Sequence, residues 1–294
     1  MSMSYYNEHD PKVAAWLREL IAAGEIAPGE VDERSIEDVV PADLARFTQC
    51  HFFAGIGGWS LALRLAGWPD ERRVWTGSCP CQSFSSAGKR NGFADERHLW
   101  PAWFHLISQC RPDHIYGEQV ASADALEWLD LVWSDMEAAG YAFGPVDLCA
   151  AGVGAPHFRQ RLWWVANATN IRSPAPENGR GAGEKQTQRR LPQSAGARPT
   201  GGLGDTQGIG LSRSIWSVAE WLPCRDGKAR PTQPGLFPLA HGLSASLVPG
   251  RDSVAPIDPN TTTEGRVMRL RGYGNAIVPQ VAAEVVKAYM EAIA

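Results

Sequence analysis

Between Asp10 and Gly24 the apolar residues Val13, Trp16, Leu17, Leu20 and Ile21 recur at three- and four-residue spacing, which predicts a helix with one buried face. Pro11 suits its first turn and Gly24 its stop. A shorter helix is predicted over Pro41 to Arg46. The apolar run Cys50 to Ala54 then meets Gly55-Ile56-Gly57-Gly58, and Trp59 to Ala66 is again helical in period: strand, glycine turn, helix. Arg73 to Thr76 reads as the next strand and ends in the turn Gly77-Ser78-Cys79-Pro80-Cys81. A helix over Leu99 to Ser108, a strand over His114 to Gly117 and an amphipathic helix over Ala123 to Ala139, stopped by Gly140, follow in order. Strands are predicted around Ala142 to Cys149 and Leu162 to Ala166. Strands alternating with helices predict an α/β fold with a parallel sheet covered on both faces.

The pattern changes after Asn167. Residues 170–210 are rich in Gly, Arg, Gln, Pro, Ser and Thr and hold few apolar side chains, which predicts a mobile loop rather than a packed unit. Trp216, Trp221, Leu236, Phe237 and Leu239 restore enough apolar surface for a small irregular module ending near Thr263. Val281, Val285, Val286 and Tyr289 predict a terminal helix within Val278 to Ala294 that docks back on the sheet.

The 294 residues allow one large domain, or a large and a small one. A net charge of −4 by itself predicts no polyanionic partner, but the charge is unevenly spread. Residues 1–46 hold ten acids against four bases, and residues 167–275 fourteen bases against eight acids, so the second half is the part suited to face nucleic acid. No basic-then-apolar leader and no apolar run of membrane-spanning length is read in the chain, which predicts a soluble, cytoplasmic protein. Six cysteines without paired C-x-x-C knuckles predict neither a disulfide framework nor a structural zinc site, so no metal ligands are proposed.

Two segments suit chemistry. The glycine turn lets backbone approach a bound molecule and aims a helix N-terminus at it, although such a turn alone equally fits a tight connection with no ligand. Cys81 follows a strand at the end where parallel sheets place their sites, and a nearby cation would favour its thiolate. With three further segments, these resemble the DNA (cytosine-5)-methyltransferase family. The segments are Phe53-Ala54-Gly55-Ile56-Gly57-Gly58, Pro80-Cys81-Gln82-x-Phe84-Ser85-x-Ala87-Gly88-Lys89, Glu118-x-Val120, Arg159-x-Arg161 and Gly274-Asn275-Ala276-x-Val278-Pro279.

The resemblance implies a Rossmann-like methyltransferase domain, residues 1–166 with 266–294, and a small irregular target-recognition domain over 167–265. It implies S-adenosylmethionine as cofactor, Cys81 as nucleophile toward C6 of a flipped cytosine and Glu118 as the acid at N3 and the exocyclic amine. Arg159 and Arg161, alternating on one strand, are expected to face the base O2 and phosphates together. Phe53, Gly55, Gly57, Gly58 and Asn275 are expected around the cofactor. Double-stranded DNA is the implied partner of a monomeric enzyme of the restriction-modification kind.

The chain departs from the family pattern in one large respect. Too few residues separate Ala66 from Cys81 for the two strands that in the family follow the glycine turn. Asn7-Glu8-His9-Asp10-Pro11 and Ser35-Ile36-Glu37-Asp38-Val39 resemble the missing pieces, so the second and third strands are expected first in the chain. Glu8 then becomes the ribose ligand, and Ser35 stands where the family has an aspartate for the adenine amine. His51 and Gln119 also replace usual residues, the latter with an amide long enough to adjust the loop of Cys81. This order creates a conflict, because the glycine-turn helix would have to leave its face or break the right-handed crossover rule. A folate-type one-carbon donor serving the same Cys81 and Glu118, and a catalytically silent DNA-binding homologue, stand as alternatives.

Overall fold

The computed structural model describes residues 3–80, 99–168, 221–223, 229–231 and 272–294, and these fall in one compact unit. Cys81 and the rest of its motif through Lys89, the loop expected at about 170–210 and Trp216 lie outside the described residues.

Seven strands form one sheet in the spatial order β2-β1-β3-β4-β5-β7-β6. β1 (Ser4–Asn7), β2 (Gly29–Asp32), β3 (Gln49–Phe52), β4 (Val74–Gly77) and β5 (His114–Val120) are mutually parallel. β7 (Gln160–Ala168) runs antiparallel between β5 and β6 (Tyr141–Cys149). The expectation of a parallel sheet therefore holds for five strands and fails at β7. Only residues 150–159 join β6 to β7, too short a connection for a parallel crossover. β8 (Trp221–Pro223) and β9 (Ala229–Pro231) form a separate antiparallel pair. Among the described residues no helix is long and apolar enough to cross a membrane.

The first helix, α1 (Pro11–Ala22), starts where the sequence predicts, because the Asp10 carboxylate accepts from the backbone N–H of Lys12 (2.9 Å) and Val13 (3.4 Å). It buries Ala14, Trp16, Leu17 and Leu20. α2 (Pro41–Leu44), α4 (Trp100–Cys110) and α5 (Ala123–Ala138) cover one face of the sheet, where Tyr5, Phe52, Trp75 and Ile115 meet Trp100, Trp103 and Trp128. The opposite face carries α1, α3 (Gly58–Leu65) and the terminal helix α6 (Pro279–Ala292).

This arrangement settles the topological conflict by breaking the rule. β1–α1–β2 and β3–α3–β4 step in opposite directions across the sheet, yet both helices lie on the face of Tyr6, so the two units have opposite hands. α4, between β4 and β5, lies on the other face and shares the hand of α1. The left-handed unit is β3–α3–β4, an exception to a nearly universal preference. Packing holds α3 there: Ser60 Oγ lies 2.9 Å from Tyr6 Oη and accepts from Ala27 N at 3.0 Å, and Ala62 and Leu63 pack with Val281 and Ala282 of α6.

Two glycines let tryptophans on the face of α4 and α5 lie unusually close to the strands. A Cβ on Gly117 would lie 2.0 Å from the Trp164 ring, and one on Gly77 would lie 2.5 Å from Trp103. Gly117→Ala should therefore cost about 1–3 kcal/mol of stability through overpacking. Gly152→Ala, with nothing near its Cβ, should change stability by less than about 0.5 kcal/mol. Urea denaturation of both variants checks the contrast.

Candidate functional site

The parallel register puts Asn7, Phe52, Gly77 and Gly117 side by side. The next residue of each chain segment, Glu8, Phe53, Ser78 and Glu118, therefore forms the following row on the C-terminal edge of the sheet. With strands about 4.8 Å apart, four neighbours span roughly 15 Å, a scale suited to a small molecule beside a base.

At one end of the row the Glu8 carboxylate holds the glycine turn. Oε2 accepts from Gly55 N at 2.8 Å and Oε1 from Asp10 N at 2.9 Å. Burial raises its pKa above the usual carboxylate value, although both N–H groups pull it down. Phe53 (φ +51°), Gly55 (φ +54°) and Gly57 (φ +78°) all have left-handed backbone, which makes the turn sharp. A Cβ on Gly55 would meet nothing within 4 Å, so this turn faces open space; one on Gly58 would lie 2.7 Å from Ile277, so that glycine serves helix packing. The Phe53 ring lies edge-on to Trp103, centroids 6.0 Å apart.

At the other end Glu118 is 8% exposed. Arg161 Nε lies 2.8 Å from Glu118 Oε1, and the Ser78 side chain also hydrogen-bonds the carboxylate. Burial raises the Glu118 pKa, with Arg161 the strongest influence against it. Trp59 Nε1 donates to Ser78 Oγ at 3.2 Å. Gln119 points to the opposite face, where its Nε2 donates to Cys79 O at 3.0 Å and its Oε1 accepts from Val120 N at 2.8 Å. Its long amide thus reaches the segment leading to Cys81.

One expectation needs correction, and the remaining candidates can be placed. Arg159 is not on the strand with Arg161: β7 begins at Gln160, and Arg159 precedes it with φ +38°. Its Nη2 donates to Gly274 O at 2.9 Å and to Ala276 O, tying the start of β7 to the segment before α6. Burial, with Arg161 nearby, lowers its pKa to about 10. Asn275 is exposed, in the segment before the last helix, whose N-cap is Val278. Ser35 caps its own 3-10 turn, Ile36–Asp38, its Oγ accepting from Glu37 N at 3.4 Å. His51 lies beneath the edge, its Nδ1 2.8 Å from Thr76 Oγ1 and its ring stacked on Tyr6; burial pushes its pKa down to about 3, so it is neutral.

Sequence reasoning overlooked Ser78 and Trp59. The available signal was a hydroxyl residue inside the Gly77-to-Cys81 turn and an indole directly after the glycines.

Residues 69–205 match the model of the C-5 cytosine-specific DNA methylase family. The type II methyltransferase M.HhaI of Haemophilus parahaemolyticus is 31% identical over 117 residues, 37% of this chain and 36% of that protein. M.AgeI of Thalassovita gelatinovora, also a type II methyltransferase, is 31% identical over 123 residues, 39% of this chain and 28% of that protein. These matches thus span about a third of their relatives. The solved structure of the Dnmt2 methyltransferase of S. pombe aligns at 12% identity over 99% of both chains, with a TM-score of 0.46.

Glu8→Ala would leave the Gly55 and Asp10 N–H groups without their acceptor. A stability loss of about 1–2 kcal/mol is expected, with faster hydrogen exchange at the Gly55 amide; unchanged exchange there would contradict this role.

Proposed function

We propose that this chain, which belongs through residues 69–205 to the C-5 cytosine-specific DNA methylase family, is an S-adenosylmethionine-dependent DNA (cytosine-5) methyltransferase acting on a base flipped from a duplex. The observation that carries the reading is the buried Glu118 carboxyl, joined to Ser78 at the head of the segment that leads to Cys81.

C5 of cytosine is a weak nucleophile while the ring is aromatic. Addition of the Cys81 thiolate to C6 removes that aromaticity and makes C5 electron-rich. Glu118 supports the addition by offering a proton at N3 and accepting from the exocyclic amine. Its burial favours the protonated form this role needs. After substitution at C5, loss of the C5 proton restores the double bond and expels Cys81. The base must leave the stack to reach these groups.

The residues at the other end of the row suit the donor. A carboxylate has about four lone-pair directions and Glu8 uses two on backbone N–H groups, which leaves capacity for a pair of ribose hydroxyls. The open space over Gly55 allows close backbone approach, with Phe53 beside it and Ser35 and Asn275 as outer contacts. When bound, S-adenosylmethionine supplies an electrophilic methyl carbon for C5.

The order of strands supports a rearranged family pattern, with β1 and β2 in the roles of the second and third strands and β3 in that of the first. The family match begins at residue 69, after the glycine turn. Arg161, already at Glu118, is the arginine nearest the base; Arg159 contributes by holding the Gly274–Ala276 backbone. Residues 167–265 are the target-recognition region, whose basic side chains would contact phosphates without reading sequence. The naming of M.HhaI and M.AgeI as type II methyltransferases supports double-stranded DNA as substrate.

Nucleoside mass spectrometry after incubation with duplex DNA and S-adenosylmethionine tests the reading. 5-Methylcytosine should form, Cys81→Ser should reduce it by more than about 1,000-fold, and Glu118→Gln by roughly 100-fold or more. Absence of 5-methylcytosine with the unmodified chain, or undiminished product from Cys81→Ser, would overturn it.

A further inference from the structure

Glu118 is gripped from the protein side by two donors, and one of them is itself constrained. A serine hydroxyl has one hydrogen and two lone pairs, and an indole N–H can only donate. Trp59 Nε1 points its hydrogen at Ser78 Oγ, 3.2 Å away, so the Ser78 hydrogen must be directed elsewhere, and its other partner is the Glu118 carboxylate. Trp59 cannot easily turn away. It is 3% exposed and packs edge-on against Trp163, centroids 5.6 Å apart, and beside Tyr116 at 6.1 Å.

We propose that Trp59 and Ser78 form a one-way hydrogen-bond relay that positions the Glu118 carboxyl and governs its proton occupancy. The relay rests on the methyltransferase reading for its purpose, and on the three residues alone for its existence. Ser78 and Trp59 are positioning residues: neither is required to touch the base.

The relay makes a signed statement about pH. A hydrogen bond donated to a carboxylate favours the ionised form, so Ser78 opposes the effect of burial on Glu118. Among the described residues the charged groups acting on Glu118 are Arg161 and Arg159, both at the start of β7, and both favour ionisation as well. Removing the Ser78 hydroxyl leaves burial less opposed, and Glu118 should keep its proton to higher pH. Trp59→Phe keeps the ring and deletes only the donor, so Ser78 becomes free to rotate.

The test is a carbon-13 NMR titration of glutamate-labelled full-length chain, with Glu118→Gln identifying the resonance, alongside the pH profile of methyl transfer. Ser78→Ala should raise the Glu118 midpoint by about one pH unit, the scale of one hydrogen bond to a charged group. Trp59→Phe should shift it the same way by less, and Ser78→Thr should restore it. The alkaline limb of activity should move with the midpoint, whereas a purely structural role would lower the rate equally at every pH. Midpoints unchanged in both Ser78→Ala and Trp59→Phe overturn the relay. If Ser78→Ala fails to fold, Trp59→Phe against Ser78→Thr makes the same comparison. A midpoint that moves in a chain forming no 5-methylcytosine upholds the relay and removes the function proposed for the site.

Discussion

Parallel register is the constraint on which the site depends. Hydrogen bonding fixes Asn7, Phe52, Gly77 and Gly117 in one line, and the residues that follow inherit that alignment. Glu8, Phe53, Ser78 and Glu118 come from segments far apart in sequence, yet no loop has to bring them together. Because side chains alternate along a strand, a slip of one residue would exchange Glu118 with Gln119. The carboxyl and the amide would then serve the wrong faces. The buried tryptophans packed against Gly77 and Gly117 oppose such a slip, since any side chain in either position would collide with a ring.

The same register explains how a left-handed connection is tolerated. The edge depends on which strands are neighbours and where they end, and not on the order in which the chain visits them. β1 and β2 precede β3 in sequence but still present Glu8 to the glycine turn. The cost falls on the β3–α3–β4 connection, whose left-handed crossing is held by Ser60, Tyr6 and the packing of α3 on α6. Moving α3 to the other face would restore the usual hand but carry Trp59 away from Ser78 and strip the apolar side of α6.

Much of this was legible in the sequence because local signals and apolar periodicity agreed. Asp10-Pro11 and the Trp16-Leu17-Leu20 stripe located α1, and the glycine run after Phe53 located the turn. The antiparallel β7 was not legible, since strand direction depends on connection length and partners and leaves no mark in an apolar run. The misreading of Arg159 and Arg161 has a similar origin: alternation places two residues on one side only if both belong to the strand, and Arg159 lies just before it. The roles of Ser78 and Trp59 arise from contacts across two strands and a helix, which spacing along one chain cannot reveal. Gln119 was partly legible, its added length being visible in sequence and its carbonyl partner only in the fold.

The buried Glu118 carboxyl is the chemical content of the edge, and the most direct test of the chemistry proposed for Cys81 is covalent. A duplex carrying 5-fluorocytosine at methylated positions cannot lose the C5 substituent, so attack at C6 should leave the protein bound to DNA. With S-adenosylmethionine present, an adduct is expected that maps by peptide mass spectrometry to Cys81 and is lost in Cys81→Ser. An adduct mapping to another cysteine, or none under conditions where the native duplex is methylated, would contradict it.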